Sequence, residues 1–166
     1  MRLTFSDARP RDARTIVTLR NRVARDQTER FGKGHWSLRT SEAAVLSSLS
    51  HARIRVGRAG RRIVTVLTIG RRRPWAIDAT YFTTVARPLY LSGMAVTVEH
   101  QGHGLGRQAL RDLKKVVKSW PADAIRLDAY DAKAGAGRFY TKNGYKRRGR
   151  KRPWGLPLVY YELLLR

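Results

Sequence analysis

Three glycines in a short segment have a spacing that can hold a phosphate group. The segment 101–107, Gln-Gly-His-Gly-Leu-Gly-Arg, follows an apolar run and precedes apolar residues at helical spacing, which predicts a turn between a strand and a helix. Such a turn collects unpaired backbone N–H groups at the positive end of a helix dipole. The same residues also fit a tight turn without a ligand, and their spacing differs from the G-x-G-x-x-G of dinucleotide-binding folds.

A tyrosine near the end of the last predicted helix is a candidate proton donor. Phe139 and Tyr140 share one face of this helix, which ends at Asn143-Gly144. Because the unperturbed pKa of tyrosine is about 10, its hydroxyl is protonated at neutral pH and can protonate a strongly basic thiolate. The alternative is a core tyrosine that packs against Phe139.

Metal and covalent chemistry find little support in the sequence. His100 and His103 lack a third ligand, because the chain has no cysteine and Glu99 is badly spaced. No serine lies in a G-x-S-x-G turn, and no thiol nucleophile exists. We therefore expect no metal, and direct attack by a substrate is the simpler scheme.

The predicted elements that would position these residues have a mixed order. Gly135 and Gly137 weaken the start of the last helix, so they mark either close passage of a ligand or a late helix start. The sequence patterns predict a strand at Leu3 to Phe5, a helix opened by Pro10, a helix from Ser41, a hairpin of Ala52 to Val56 and Arg62 to Ile69, strands at Ala76 to Phe82 and Leu89 to Val98, a helix from Leu105 to Val117, a strand from Ile125 to Ala129, a helix from Ala132 to Tyr140, and closing strands at Tyr145 and Leu158 to Leu165.

Two motifs in the second half of the chain resemble those of a known family. Gln101-x-x-Gly104-x-Gly106 is similar to the Q/R-x-x-G-x-G/A acyl-CoA signature of the GNAT superfamily of acetyl-CoA-dependent N-acetyltransferases. Phe139-Tyr140-x-x-x-Gly144-Tyr145 resembles the family's F-Y-x-x-x-G-F/Y motif. The order of elements agrees over nearly the whole chain, whereas the motifs cover only residues 91–145.

The resemblance implies a fold and a co-substrate. We expect one α/β (α+β) domain over residues 1–166, with a mixed, mostly antiparallel sheet flanked by helices. The sheet would be splayed between the strands Leu89 to Val96 and Ala124 to Ala129, which would admit the pantetheine arm of acetyl-CoA. The implied reaction moves an acetyl group to a primary amine in a ternary complex.

Site residues follow from the resemblance by position. The backbones of Met94, Ala95 and Val96 would bind pantetheine, one of their N–H groups would hold the oxyanion, and residues 101–107 would bind pyrophosphate. Tyr140 would be the catalytic acid. The implied cofactor-binding set is Met94, Ala95, Val96, Gln101, Gly102, His103, Gly104, Leu105, Gly106, Arg107 and Phe139.

The sequence departs from the family at two positions. Lys133 stands where the family often has an asparagine cofactor contact, and Tyr90 stands where some members carry a glutamate base. The general base is therefore open. The candidates are Asp128, Asp131, Asp78, Tyr81, Tyr90, Glu99 and water, of which Tyr81, Tyr90 and Asp128 are also assigned to the acceptor side.

The charge balance bears on the acceptor. The chain has 35 Lys and Arg residues, 27 of them Arg, against 12 Asp and Glu, for a net charge of +23. This excess favours a polyanionic partner such as RNA or an acidic protein, although genome composition explains it equally well. The acceptor is unknown, and an amine on an anionic carrier such as aminoacyl-tRNA is favoured over a polyamine. The alternative function is a non-catalytic nucleic-acid-binding module.

Two basic segments carry a tryptophan, at Arg71 to Trp75 and at Lys151 to Trp154, the second within the basic run that begins at Lys146. They are expected to be loops that hold phosphates and stack on bases, or solvated hairpin tips. With no cysteine, no apolar run of membrane-spanning length and no leader-like N-terminus, a cytoplasmic protein is expected. The sequence leaves a homodimer open.

Overall fold

A seven-stranded sheet organises the fold in the computed structural model, which describes residues 1–165. The strand order is β1-β2-β3-β4-β5-β7-β6, and among these neighbours β4 and β5 pair in parallel while the others pair antiparallel. The predicted mixed, mostly antiparallel α/β fold is therefore confirmed. The strands are β1 Thr4–Asp7, β2 Ala52–Ala59, β3 Arg62–Gly70, β4 Pro88–Val96, β5 Ala124–Tyr130, β6 Lys146–Lys151 and β7 Leu158–Leu164, and the α-helices are α1 Ala13–Phe31, α2 Glu42–Leu49, α3 Leu105–Lys118 and α4 Gly137–Lys142.

The sheet opens between its two parallel strands, as predicted. Pairing of β4 with β5 runs only from Pro88 opposite Ala124 to Tyr90 opposite Arg126. Beyond Tyr90, β4 stays paired with β3 as far as Val96, whereas β5 continues with β7. The second half of β4 therefore lines a cleft whose backbone groups on the β5 side have no strand partner.

The helices cover both faces of the sheet, because each presents an apolar stripe. Leu110 and Leu113 of α3 pack in one core cluster with Ile125 and Leu127 of β5. Ile16 of α1 packs in a second cluster with residues of α2, β2 and β3. Burying such a side chain contributes about 1.5–3 kcal/mol, so both clusters anchor the helices that border the cleft.

The predicted strand Ala76 to Phe82 is wrong. This segment lies in the long connection 71–87, with a 3₁₀ turn at Ala79–Tyr81. Its apolar side chains are buried against β4 and β7, which explains the strand-like pattern. However, the hydroxyl of Tyr160 donates to the carbonyl of Ala76 and accepts from the N–H of Asp78, so a side chain takes the place of a strand partner.

A buried ion pair holds this connection on the sheet. Arg126 and Glu162 are 4% and 2% exposed, and the Arg126 Nε lies 3.2 Å from a Glu162 carboxylate oxygen. Arg126 also donates to the carbonyl of Thr83, and Glu162 accepts from the Thr83 hydroxyl. The connection 71–87 is thus fixed by bonds to charged groups, which are stronger than neutral ones.

The last helix begins at Gly137, not at Ala132. A Cβ at Gly135 would collide with the carbonyl of Tyr130, and a Cβ at Gly137 would collide with the hydroxyl of Tyr161. The glycines therefore permit close approach to β5 and β7, and the helix starts late. Lys146–Lys151 of the basic run form β6 at the edge of the sheet. The predicted loop at Lys151 to Trp154 begins at the last residue of this strand and continues into a 3₁₀ turn at Pro153–Gly155.

Across residues 1–165, no helix has the length and apolar character needed to cross a membrane.

Candidate active site

The glycine turn forms the predicted N-terminus of α3. Gly104 is the residue before the helix, with φ of +78°, and no side chain in the described part of the chain caps it. Gly102 also has a positive φ, of +77°. A Cβ at either position would meet nothing within 4 Å, so the space in front of the first helical N–H groups is open. This end of α3 is suited to bind an anion.

Close packing ties the glycine turn to β4 and α4. A Cβ at Gly106 would lie 3.0 Å from the Phe139 ring and 3.5 Å from the Met94 methyl group, so a side chain here would press against that ring. The Gln101 side-chain amide donates to the carbonyl of Val96 at 3.2 Å. The two sequence motifs therefore meet in space with the end of β4 between them.

A first cavity of about 450 Å³ lies in front of this turn. All of the cofactor-binding residues implied by the resemblance line it except His103, which is exposed and bonds the Gln101 carbonyl. Its size is within the range of small-molecule sites. It is lined by Val23, Gln27, Met94, Ala95, Val96, His100, Gln101, Gly102, Gly104, Leu105, Gly106, Arg107, Ala136, Phe139, Tyr140, Lys142 and Asn143.

A second cavity of about 310 Å³ shares Met94 and Tyr140 with the first as lining residues. Its walls come from α1, the α1–α2 connection, the open half of β4 and the end of β5. Val23, Gln27, Met94, Ala95, Ala136 and Tyr140 line both cavities. A molecule in one cavity would therefore meet a molecule in the other beside Tyr140.

Tyr140 is buried at this junction. Its hydroxyl donates to the Met94 sulfur over 3.8 Å, and its ring packs edge-on against Tyr145 with 5.7 Å between ring centres. Burial, and then the charge of Asp128, raise the pKa of the Tyr140 hydroxyl above its usual value. The hydroxyl is therefore protonated at neutral pH, as a proton donor must be.

Asp128 is the only one of the three predicted acceptor-side residues that lines the second cavity. Desolvation raises the pKa of its carboxyl above the usual value. The structure places Tyr90 beside Arg126 and Phe82, and Tyr81 against Tyr160 and the Lys151 ammonium. Neither tyrosine reaches the two cavities.

The other carboxylates considered as bases are held in ion pairs. Asp78 pairs with Lys151, Asp131 with Arg150 at 3.0 Å, and Glu99 with Arg22 at 2.5 Å. The hydrogen bond from Lys151 lowers the pKa of Asp78. Asp78 is therefore a poorer proton acceptor than Asp128, because its partner cation stabilises the charged form.

The described residues 1–165 contain no group of three or more His, Cys, Asp or Glu side chains that could hold a metal ion. His100 shares a hydrogen bond of 2.8 Å with the Thr97 hydroxyl.

Sequence patterns missed the part of the site that comes from the first forty residues. Val23 and Gln27 on α1 line both cavities, and Arg20, Trp36 and Leu38 line the second. The Gln27 amide donates to the carbonyl of Ala134, so it joins α1 to the segment before α4. Only the turn-rich sequence around Trp36 could have indicated a functional loop.

Family membership follows from the sequence. The profile of the Acetyltransferase (GNAT) family matches residues 63–145, half of the chain, including the glycine turn and Tyr140. The chain belongs to the GNAT family. No curated protein matches it significantly. Members of this family use acetyl-CoA.

Solved structures share the GNAT fold over nearly the full chain. The yncA protein of Salmonella typhimurium, solved with acetyl-CoA, is 17% identical with a TM-score of 0.72, and the match covers 100% of this chain and 95% of that one. PaiA N-acetyltransferase of Thermoplasma acidophilum, solved with coenzyme A, is 13% identical with a TM-score of 0.74 and coverage of 99% and 100%. The ribosomal-protein-S18-alanine N-acetyltransferase of Escherichia coli is 16% identical with a TM-score of 0.72 and coverage of 98% and 93%.

Proposed function

We propose that this single-domain GNAT protein transfers the acetyl group of acetyl-CoA to a primary amine by direct attack in a ternary complex. The observation that carries the proposal is the meeting of the two cavities at Tyr140. One cavity begins at an uncapped helix N-terminus suited to phosphate, and the other contains a carboxylate suited to an amine. Such a junction holds two reactants in contact, which is the main requirement of a two-substrate transfer.

The first cavity fits acetyl-CoA. The open space at Gly102 and Gly104 leaves room for the pyrophosphate beside the first N–H groups of α3, and Arg107 adds charge there. The unpaired side of β4 at Met94, Ala95 and Val96 would bind the pantetheine arm through the backbone. When bound, acetyl-CoA supplies an activated thioester.

The reaction needs two proton movements. The amine nitrogen forms a bond to the acyl carbon, the carbon–sulfur bond breaks, and Tyr140 gives its proton to the departing sulfur. Asp128, or water next to it, takes the proton that the amine loses. The raised pKa of Asp128 makes it a better base than an ordinary carboxylate, because proton affinity rises with pKa.

The similarity to an enzyme named for an alanine acceptor supports an amino group of an amino acid as the acceptor class. An anionic carrier, such as aminoacyl-tRNA or an acidic protein, stays within the proposal because the net charge of +23 favours it.

A second candidate function is binding of nucleic acid or another polyanion. The side chains of Trp75 and Trp154 are 70% and 92% exposed beside the basic segments, as stacking residues would be. The ion pairs reduce the free charge, since Arg148, Arg150 and Lys151 each contact a carboxylate. Arg72, Arg73, Arg147 and Arg152 form no ion pair within residues 1–165 and would carry this function.

A thiol-release assay tests the proposal. Purified protein and acetyl-CoA are mixed with a panel of amines that includes amino acids, polyamines, peptides and aminoacyl-tRNA. We expect release of free CoA that depends on both protein and an amine, together with an acetylated product in the mass spectrum. Binding of acetyl-CoA without release for any amine would contradict transfer and favour the second candidate.

A further inference from the structure

Arg20 presents a positive charge to the second cavity without a carboxylate to balance it. Its Nε and Nη2 donate to the carbonyl of Gly93, at 3.1 and 2.9 Å, and Nη2 also donates to the Thr68 hydroxyl at 2.9 Å. Its Nη1 has no protein acceptor in the described chain, and the residue forms no ion pair there. Burial lowers the pKa of Arg20 to about 10, so the group stays cationic at neutral pH.

Asp128 presents the opposite charge to the same cavity. Ten of the twelve acidic residues form ion pairs within residues 1–165, and the exceptions are Glu29, which is exposed, and Asp128. Asp128 does not pair with Arg20, although both line one cavity. The chain has a large excess of cationic side chains, so a desolvated carboxylate without a cationic partner is unusual. Unpaired charges are costly to bury.

Apolar and aromatic side chains supply part of the wall of this cavity, beside a larger polar surface. Trp36 packs edge-on against Tyr130, with 5.7 Å between ring centres, and Leu38 lies on the same α1–α2 connection. The volume of about 310 Å³ is at the lower end for small-molecule sites. The cavity is therefore sized for a compact molecule with an apolar part and two opposite charges.

We propose that the acceptor is an amino-acid-like zwitterion, whose amine lies at Asp128 and whose carboxylate binds Arg20. This inference rests on the proposed function and narrows its substrate class. Each charge on the ligand balances a protein charge that has no partner in the chain. A guanidinium whose Nε and Nη2 are already held by Gly93 is preorganised, so its remaining N–H groups are directed without further loss of freedom.

Four related acceptors distinguish recognition of a carboxylate from recognition of another anion or of the amine alone. A free amino acid has both an amine and a carboxylate. Its amide keeps the amine but has no anionic group, as is also true of a peptide N-terminus or an aminoacyl ester. The decarboxylated amine has no carboxyl-derived group at all. Phosphoethanolamine has an amine with a phosphate in place of the carboxylate. Comparing the kcat/KM values of these acceptors shows whether Arg20 binds an anionic group of the acceptor, and which one.

The experiment screens the twenty standard L-amino acids and then compares the best one with its amide and its amine; phosphoethanolamine is assayed in parallel. We expect kcat/KM for the free acid to exceed the other two by at least ~30-fold, the effect of about 2 kcal/mol from hydrogen bonds to a charged group. In Arg20→Met this preference should fall to within a few-fold of unity, and Arg20→Lys should restore part of it. Arg25→Met is the matched control, since Arg25 is an exposed residue of the same helix without an ion pair in the described chain.

The ratio between acceptors separates recognition from a structural role. If Arg20 only positions Gly93, then Arg20→Met slows all acceptors equally and leaves the ratio unchanged, which overturns the inference. Equal use of acid, amide and amine by the wild type, or a preference for phosphoethanolamine, also overturns it while the proposed function stands. If no amine is acetylated, the proposed function fails. Calorimetry of the same acid and amide on the CoA-loaded protein then decides the inference: tighter binding of the acid supports it and equal or absent binding overturns it.

Discussion

The hydroxyl of Tyr140 donates to the sulfur of Met94 over 3.8 Å and so joins α4 to the open edge of β4. Both residues line both cavities, which makes this contact the boundary between the proposed donor and acceptor sites. A bound thioester would place a second sulfur near the same hydroxyl. The contact therefore shows that the Tyr140 hydroxyl can reach a sulfur acceptor without leaving its buried position.

Replacing Tyr140 with phenylalanine should remove the proposed acid while keeping the ring packing. Since a positioned general acid contributes on the order of 10² to 10⁴ in rate, turnover should fall by about that factor. Acetyl-CoA affinity by calorimetry should change little. Wild-type turnover in a stable variant, with chemistry shown to limit the rate, would make Tyr140 a core residue only.

Tyr145→Phe is the matched control for that variant. The Tyr145 hydroxyl is buried without a hydrogen-bond partner in the described structure, and its ring packs against Tyr140. An unsatisfied buried polar group costs about 1–3 kcal/mol, so its removal should raise the melting temperature and leave turnover within a few-fold of wild type. Equal loss of activity in both variants would point to disturbed packing instead of a lost proton.

Gly104→Glu should weaken acetyl-CoA binding. The new side chain and its negative charge would occupy the open space in front of α3, where the pyrophosphate is expected. We expect at least a tenfold loss of affinity by calorimetry, which is about 1.4 kcal/mol. Gly60→Glu adds the same charge at another glycine with positive φ and open surroundings, outside both cavities. A similar affinity loss in both variants would contradict the pyrophosphate assignment.

Asp128→Asn should lower activity and change its pH dependence. A base must be ionised, so wild-type kcat/KM should rise as the pH increases through the raised pKa of Asp128. The variant should lose this rise and lose about 10² to 10⁴ in turnover. A variant profile with the wild-type rise would assign the proton to water.

The same substitution should make the protein more stable at neutral pH. Because the pKa of Asp128 is higher in the folded than in the unfolded chain, its contribution to stability is present below the unfolded value of about 3.9 and is lost as pH rises through the folded value. The asparagine side chain of the variant stays neutral at every pH, so the variant does not lose this stability as the pH rises. The melting temperature should therefore exceed that of wild type at pH 7, by about 2–4 °C per kcal/mol, and the difference should shrink in acid. A lower melting temperature at pH 7 would show that the carboxylate has a stabilising partner.

Charge reversal at Arg147 and Arg152 tests the polyanion surface. Each phosphate contact releases counterions, so RNA affinity should fall steeply between 50 and 200 mM salt, by roughly a hundredfold or more with several contacts. Arg147→Glu with Arg152→Glu should flatten this dependence. Arg25→Glu with Arg111→Glu is the control for net charge, because it changes the charge by the same amount at two exposed arginines outside the basic segments. If the wild type binds no RNA at low salt, the arginines reflect composition.

Local signals in the sequence predicted the glycine turn at the start of α3. The spacing of the glycines at residues 102–106 and the helical spacing of the apolar residues in α3 are both local features of the sequence. They therefore indicate the N-terminus of the helix without knowledge of any tertiary contact. The motif at Phe139 and Tyr140 is local in the same way, and it makes Tyr140 the candidate acid. The strand-like pattern at residues 76–82 led to a wrong prediction of a strand. Apolar residues are buried at similar spacing in a connection that packs against a sheet.

The acceptor side was decided by tertiary structure. Arg20 and Asp128 are far apart in the sequence. Asp128 is one of several candidate bases that the sequence offers, whereas no local pattern points to Arg20. Their importance arises from what surrounds them: one cavity contains both, and the chain gives neither a partner of opposite charge. Burial and charge pairing depend on groups brought together by folding. For that reason the sequence alone predicts a site for acetyl-CoA, whereas the proposal for the acceptor amine depends on groups that only folding brings together.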